Sequence, residues 1–419
     1  MLLTLKINNC LIYNQEVEFS MHANMHYRRF PGNVAMLKNV HVLKSAILIG
    51  PNNAGKTCFV KTILLIKKMM LNQNPDLVKN LFTESQIIEL EISFLENGKE
   101  YLFAIKYDNS RNEYIYERFC EIKRDKKHYI HFMEYYIRDS RTGVYNAKDE
   151  GLESVMQIMG RNNILIYLLD VSSFPYLGKA REAIRLFASR IDILDMNNIP
   201  IQKTIDMLKQ SEEMHQRIAK FIRNADLSLD DFRYLNDEEI KIGIEKINAK
   251  ETNPQENALT LAAPVAEMLH LASFYHGVPL PSILYDSTGT KKMAAIASYV
   301  IDALEHGRIL VVDELDNSLH FRLTRAILAL FNNELNQTAQ LIATVHDISL
   351  LDCQKLFRKE QIWFAHKDQK NAYLYSLSEF TAEKDGVRDT SDLIQKYRRG
   401  VFGALPEPDL FETILEGVE

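Results

Sequence analysis

The sequence predicts an α/β fold: a mixed sheet with flanking helices that also carries an antiparallel β-subdomain and a helical insertion. Three patterns carry that expectation. Short, wholly apolar runs near both ends, Ser45–Ile49 and Ile309–Val312, read as buried strands followed by helices. Between about Ile87 and about Tyr145 the apolar period is two, the mark of half-buried antiparallel strands. From about Gly151 to about Asp237 the spacing turns helical.

Taken in order, Leu3, Leu5 and Ile7 share one face of a first strand, and Val17–Phe19 form a second. The run Ser45–Ile49 ends in Gly50-Pro51, a strand feeding a turn. The helix after it carries Phe59, Val60, Ile63, Leu64, Ile66, Met69 and Met70, apolar almost all round, and such a helix is buried. Leu90, Ile92 and Phe94 then alternate with polar residues, Asn97-Gly98 supplies a tight turn, and Tyr101, Phe103, Ile105 and Tyr107 alternate again. That is a hairpin signal. Strands at Glu113–Ile122 and His128–Arg138 extend the antiparallel sheet. Lys123-Arg124-Asp125-Lys126-Lys127 between them is a basic tip, either a solvated turn or a phosphate contact.

Apolar spacing over Ala180–Ile193 and Ile205–Ile222 predicts helices, interrupted at Asn198-Ile199-Pro200, with no heptad run long enough for a coiled coil. Asn253-Pro254 marks a surface loop. A helix near Ser287–Leu304, a strand at Ile309–Val312, a helix near Ser318–Phe331 and a strand at Gln340–Thr344 then resume the β-α alternation of the first sixty or so residues. The expected organisation is an N-terminal lobe over 1–150, a helical insertion over 151–255 and a C-terminal lobe over 256–419.

The 419 residues are 46% hydrophobic and 25% charged, an ordinary soluble balance. Fifty Lys and Arg against 56 Asp and Glu give a net charge of −6, so any contact with DNA or RNA is confined to a local patch. Cys10, Cys58, Cys120 and Cys353 lie far apart with no CxxC pair, which excludes a zinc ribbon and fits a reducing compartment. The start lacks a signal-peptide apolar run, and no stretch approaches the ~20 apolar residues of a membrane helix. The expectation is a cytoplasmic protein without a membrane partner.

Four motifs carry chemistry. Gly50-Pro51-Asn52-Asn53-Ala54-Gly55-Lys56-Thr57 matches G-x-x-x-x-G-K-[ST] in full, with an apolar strand before it and a helix beginning within it. Gly50, Asn52, Asn53, Ala54, Gly55, Lys56, Thr57 and Cys58 form the candidate cradle for phosphates, with Lys56 on the β- and γ-phosphates and the Thr57 hydroxyl on Mg²⁺. Arg308–Glu314 is a buried strand delivering two carboxylates at its C-terminal edge, where open α/β sheets bind ligands. Asp313 is the candidate Mg²⁺ ligand and Glu314 the candidate base. In Asp286–Lys292, Ser287 and Gly289 at a helix start read equally as an anion cradle or as a plain cap. His346, at the end of strand Gln340–Thr344, is either a packing residue or a contact to the γ-phosphate.

In this order and spacing the motifs resemble the ATP-binding-cassette class of P-loop ATPases, and more narrowly the branch related to chromosome-maintenance and recombination-repair ATPases. Ser287-Thr288-Gly289-Thr290 is similar to that branch's Ser-x-Gly-Thr signature. Asp313-Glu314-Leu315-Asp316-Asn317-Ser318-Leu319-His320 resembles the Asp-Glu-Leu-x-x-Ser-Leu-His form of bacterial AAA-type ATPases in abortive-infection and antiphage loci, as do Gln361–Phe364 and Tyr397–Pro406. The resemblance covers about 1–145 and 260–406. It implies a P-loop ATPase head that binds ATP and Mg²⁺ and works as a head-to-tail homodimer or higher oligomer. ATP on Gly50–Thr57 of one subunit would be closed over by Ser287 and Gly289 of the other. Glu314 would be the general base, His346 the γ-phosphate sensor, and Asn317–His320 the loop crossing to the partner. In two places the chain departs from the family pattern. Leu11 stands where a basic residue is usual, and the Gln that couples Mg²⁺ to the β-lobe has only Gln86 as a candidate by position.

The leading functional expectation is a dimeric ATPase switch in bacterial defence that controls a separate effector encoded nearby. A compact repair ATPase acting on DNA ends is the alternative, which leaves nucleic acid open as a partner. A self-contained nuclease ranks lower, since no Asp-x-Asp follows His346. The signature and the size speak against a transporter ATPase, and the lack of an Asn-Lys-x-Asp motif speaks against a GTPase.

Overall fold

The computed structural model describes residues 1–37, 40–125, 129–225, 228–240, 268–388 and 390–405. In chain order, β1 (Leu2–Asn8) and β2 (Val17–Ser20) precede a hairpin of β3 (Val34–Leu37) and β4 (Val40–Leu43). β5 (Ser45–Ile49) then feeds α1 (Lys56–Met70). Five strands follow: β6 (Ile87–Glu96), β7 (Lys99–Asp108), β8 (Glu113–Arg124), β9 (Ile130–Asp139) and β10 (Val144–Ala147). Next come α2 (Glu150–Ile158), α3 (Leu165–Leu168), α4 (Pro175–Ser189), β11 (Ile191–Asp195), α5 (Gln202–Gln210) and α6 (Glu212–Asn224). A small sheet of β12 (Asp231–Tyr234), β13 (Leu271–Tyr275) and β14 (Val278–Pro281) leads through α7 (Ser282–Tyr285) to α8 (Thr288–His306). The chain closes with β15 (Ile309–Asp313), α9 (Phe321–Phe331), β16 (Gln340–Val345), β17 (Ile362–Lys367), β18 (Ala372–Ser376) and α10 (Leu393–Arg398).

Two large sheets organise these elements, as the α/β reading requires. One is antiparallel in the order β10-β9-β8-β7-β6-β1-β2. The other, β11-β15-β16-β5-β17-β18, is parallel except for its last strand. The central strands β5, β15 and β16 are buried along their length, with apolar residues at their inner positions, because both faces are covered. Ala46, Leu48, Ile309, Val311 and Ile342 join the core shared with the antiparallel sheet and α1. Their neighbours Ile47, Ile49, Leu310, Val312 and Ala343 point into a second core on the opposite face. The greasy helix α1 lies where both sheets meet. Phe59 packs edge-on against Phe19 at 4.9 Å, and Phe19 against Trp363 at 4.9 Å, so the β2 ring links α1 to β17 of the parallel sheet. Truncating a fully buried Phe costs about 3–5 kcal/mol, so Phe59 is a large contributor to this junction.

Several local expectations are corrected. The helix expected over Ala180–Ile193 ends at Ser189, and Ile191–Asp195 is strand β11, paired parallel with β15 from Ile191↔Ile309 to Asp195↔Asp313. A short apolar strand buried beside a helix has no period of its own to reveal it. The segment Ile205–Ile222 is two helices, because Ser211 accepts from Met214 N and starts a new one. α9 begins at Phe321 rather than near Ser318, since Ser318 is left-handed (φ 61°) and His320 caps the helix. Asp231–Tyr234, inside the stretch expected to be helical, is strand β12, because it pairs antiparallel with β13; β13 and β14 had no expectation. The basic tip is partly neutralised, because Arg124 donates to both carboxylate oxygens of Glu100 (3.0 and 2.7 Å). Lys126, Lys127, His128 and Asn253-Pro254 lie outside the described residues. Among the described residues no helix is long and apolar enough to cross a membrane.

Candidate functional site

The parallel strands β11, β15, β16 and β5 end at one sheet edge, and the candidate site is built from the four loops that leave it. After β5, a Cβ on Gly50 would stand 2.1 Å from the Ala365 carbonyl oxygen of β17, so only glycine lets the chain pass. Gly55 has φ 105°, and the Tyr13 hydroxyl donates to its carbonyl at 3.0 Å. Because Gly55 has no side chain to cap α1, the first N–H groups of the helix keep their partial positive charge facing the loop. Lys56 is buried and donates to the carbonyls of Gly50 (2.6 Å) and Pro51 (3.0 Å). Burial lowers its ammonium below the ordinary value, opposed by the carboxylates of Asp313, Glu314 and Asp316. Thr57 is exposed, Asn52 and Asn53 likewise, and burial raises the neighbouring Cys58 thiol.

The acids stand at the end of β15. Asp313 is buried, and its Oδ1 accepts from the Thr344 hydroxyl at 2.5 Å. The same hydroxyl accepts from Glu314 N at 2.7 Å. Glu314 is left-handed (φ 55°), which turns its side chain out of the strand line. Its Oε2 accepts from Asn197 (3.0 Å) and Asn317 (3.1 Å), and His346 Nε2 lies 3.6 Å from Oε1. Donation from Asn197 first, then from Asn317 and His346, holds the carboxyl below its usual range despite partial desolvation. Asp316 accepts from the backbone N–H groups of His346 (2.7 Å) and Asp347 (2.6 Å), so it fixes the loop that presents the imidazole.

The candidate signature stands apart from the phosphate loop. Ser287 caps α8, its Oγ accepting from Thr290 N at 3.1 Å. A Cβ on Gly289 would meet the Ser318 carbonyl oxygen at 3.0 Å, and Lys292 donates to Asn317 O and Ser318 Oγ. Among the described residues, no hydrogen bond or ion pair joins Ser287 or Gly289 to Gly50–Thr57. Within one chain, Lys56, Asp313, Glu314 and His346 thus come together, while Ser287 and Gly289 abut the loop after the acids.

Sequence reasoning missed Asn197 and the roles of Thr344 and Asn317. Asn197 is hidden because the apolar spacing before it predicts a helix where β11 runs; an amide two residues beyond a parallel strand is the signal that finds it. Gln86 donates weakly to Glu84 O (3.4 Å) and makes no hydrogen bond to the acids or Lys56 among the described residues. At the position of the absent basic residue, Leu11 is left-handed (φ 53°) and is strapped through its backbone to Val78 and Asn80. The donor set suits a nucleoside triphosphate with a divalent cation: helix N–H groups and an ammonium for phosphate, and an exposed hydroxyl with a buried carboxylate for the metal.

Residues 45–352 match a family profile described as "AAA domain, putative AbiEii toxin, Type IV TA system". No curated protein matches the chain. Among solved structures, it is similar to the SMC head domain from Thermotoga maritima, at 10% identity and a TM-score of 0.43, over 90% of this chain and 98% of that one. It is also similar to the SMC head bound to the C-winged helix domain of ScpA, at 13% identity and a TM-score of 0.46, over 91% and 99% of the two chains.

Proposed function

The chain belongs to this AAA-domain family, and we propose that it binds ATP with Mg²⁺ at Gly50–Cys58 and hydrolyses it to ADP and phosphate as a head-to-tail dimer. The observation that carries this reading is the meeting of Lys56, Asp313, Glu314 and His346 at one strand edge while Ser287 and Gly289 stand elsewhere in the same chain. Phosphoryl transfer needs positioning and charge neutralisation more than covalent chemistry by the protein. Lys56 exchanges its carbonyl partners for phosphate oxygens. Thr57 and Asp313 are the residues that would hold the cation, which, when bound, spreads the charge of the reacting phosphate. Glu314, kept ionised by Asn197 and Asn317, accepts the proton of the attacking water. His346 completes the polar wall beside it. Ser287 and Gly289, at the positive end of a long helix that Ser287 itself caps, close the partner's site.

The lobes we assign to this machine are 1–150 and 256–419, with 151–255 inserted between them and lending β11 to the shared sheet. The toxin–antitoxin wording of the family description supports a role in bacterial defence over the compact repair ATPase, and the part we propose for the chain is a switch that acts on an effector encoded nearby. Nucleic acid stays open as a further partner. The test is ATP hydrolysis by the purified chain beside Lys56→Ala, with a nuclease assay in Mg²⁺ and Mn²⁺. Phosphate release lost in the variant, with no DNA cleavage by either, is the expected result. DNA cleavage that survives Lys56→Ala would overturn the ranking.

A further inference from the structure

We propose that Asp286 is a positioning residue for Ser287, tying the start of α8 to the small sheet β12–β13–β14. This rests on the reading of Ser287 as part of a partner's ATP site. Asp286 is 6% exposed, and its carboxylate accepts three hydroxyls. Ser273 and Ser282 donate to Oδ2 (2.5 and 2.6 Å), and Tyr275 donates to Oδ1 (3.0 Å). Two of the three donors come from β13, the middle strand of the small sheet. Among the described residues no cation pairs with Asp286.

A buried carboxylate is expensive unless its lone pairs are filled. Capping α8 does not need it, because the next residue, Ser287, already caps the helix with its own hydroxyl. What the carboxylate does is bond the backbone immediately before Ser287 to a different sheet. On the other side, the Ser318 carbonyl closes on Gly289. The first turn of α8 is therefore held between β13 and the loop that follows the catalytic acids. Displacing the β13 side moves Ser287 without touching Lys56, Asp313 or Glu314.

The deciding variant is the full chain with Ser273→Ala and Tyr275→Phe, which removes both β13 hydroxyls and keeps the local Ser282 bond. ATP affinity is expected to stay within about twofold of wild type, since the phosphate loop is intact. kcat is expected to fall about tenfold or more, with ATP-driven dimerisation weakened. Amide exchange over residues 286–292 rises. Asp286→Asn keeps one oxygen for Ser273 and Ser282 and is expected to hold kcat within about threefold, whereas Asp286→Ala is not. Wild-type kcat and wild-type exchange in the double variant, alongside an inactive Ser287→Arg, overturn the coupling and spare the site reading. Normal turnover by Ser287→Arg overturns the site reading itself. Should the double variant not fold, Tyr275→Phe, at a partly exposed ring, decides by the same exchange measurement: raised exchange supports the coupling and unchanged exchange refutes it.

Discussion

The Thr344 hydroxyl donates to Asp313 Oδ1 at 2.5 Å and at the same time accepts from the backbone N–H of Glu314 at 2.7 Å. Its single proton and one of its lone pairs are both committed, so one buried side chain fixes Asp313 and Glu314, the proposed metal ligand and the proposed base, relative to each other. Thr344→Val keeps the shape and removes both bonds. It is expected to cost about 1–3 kcal/mol of stability, because the Asp313 oxygen and the Glu314 N–H lose their partner in a buried site. kcat should drop about tenfold while KM changes little, since the phosphate loop is untouched. Urea unfolding and steady-state kinetics measure the two effects.

Glu314→Gln keeps the length of the side chain and removes the carboxylate proposed as the proton acceptor. The variant is expected to bind ATP, to hydrolyse it at least about a hundredfold more slowly, and to accumulate as a dimer or larger assembly with ATP and Mg²⁺. Light scattering with and without ATP reads the assembly, and an unchanged monomer would count against the switch.

Gly50 tests the phosphate loop through packing rather than charge. With a Cβ only 2.1 Å from the Ala365 carbonyl, Gly50→Ala must push β5 and β17 apart at the site's edge. The expected loss is about 1–3 kcal/mol in chemical denaturation, accompanied by weakened ATP binding. Wild-type values for both would show that the loop tolerates a shift of that size.

Cysteine reactivity reports the environment of the same loop. Burial pushes Cys10 and Cys120 up to about 12 and also raises Cys58, which follows Thr57 directly. A thiol raised above its ordinary value carries less thiolate at pH 8, so all three should react with iodoacetamide more slowly than free cysteine. The rate at Cys58 should still be climbing with pH where that of free cysteine has levelled off, and ATP with Mg²⁺ should slow it further. Peptide mapping after timed alkylation gives the comparison, and fast labelling of Cys58 at pH 8 would contradict its placement.

Much of this molecule is legible in the chain because its strongest signals are local. The glycine-bounded loop, the apolar strand ending in Asp313-Glu314 and the period-two stretch from Ile87 each rest on a few consecutive residues, and each takes its expected place. β11 was not legible, since a five-residue strand directly after α4 continues the apolar pattern and becomes a strand only by pairing with β15. Asn197 was lost with it. Thr344 could be read as a motif neighbour, but its role depends on β16 lying beside β15, which no local pattern encodes. The same holds for Asp286, whose three hydroxyl donors come from two elements that sequence spacing does not bring together.

The most direct measurement is specific ATPase activity as a function of chain concentration, with the mass distribution recorded on the same samples. If each site is completed by Ser287 and Gly289 of a second copy, turnover per chain rises with concentration, levels off as dimers fill, and disappears in Ser287→Arg while ATP still binds. Constant turnover per chain down to concentrations where only monomers are present would contradict the account.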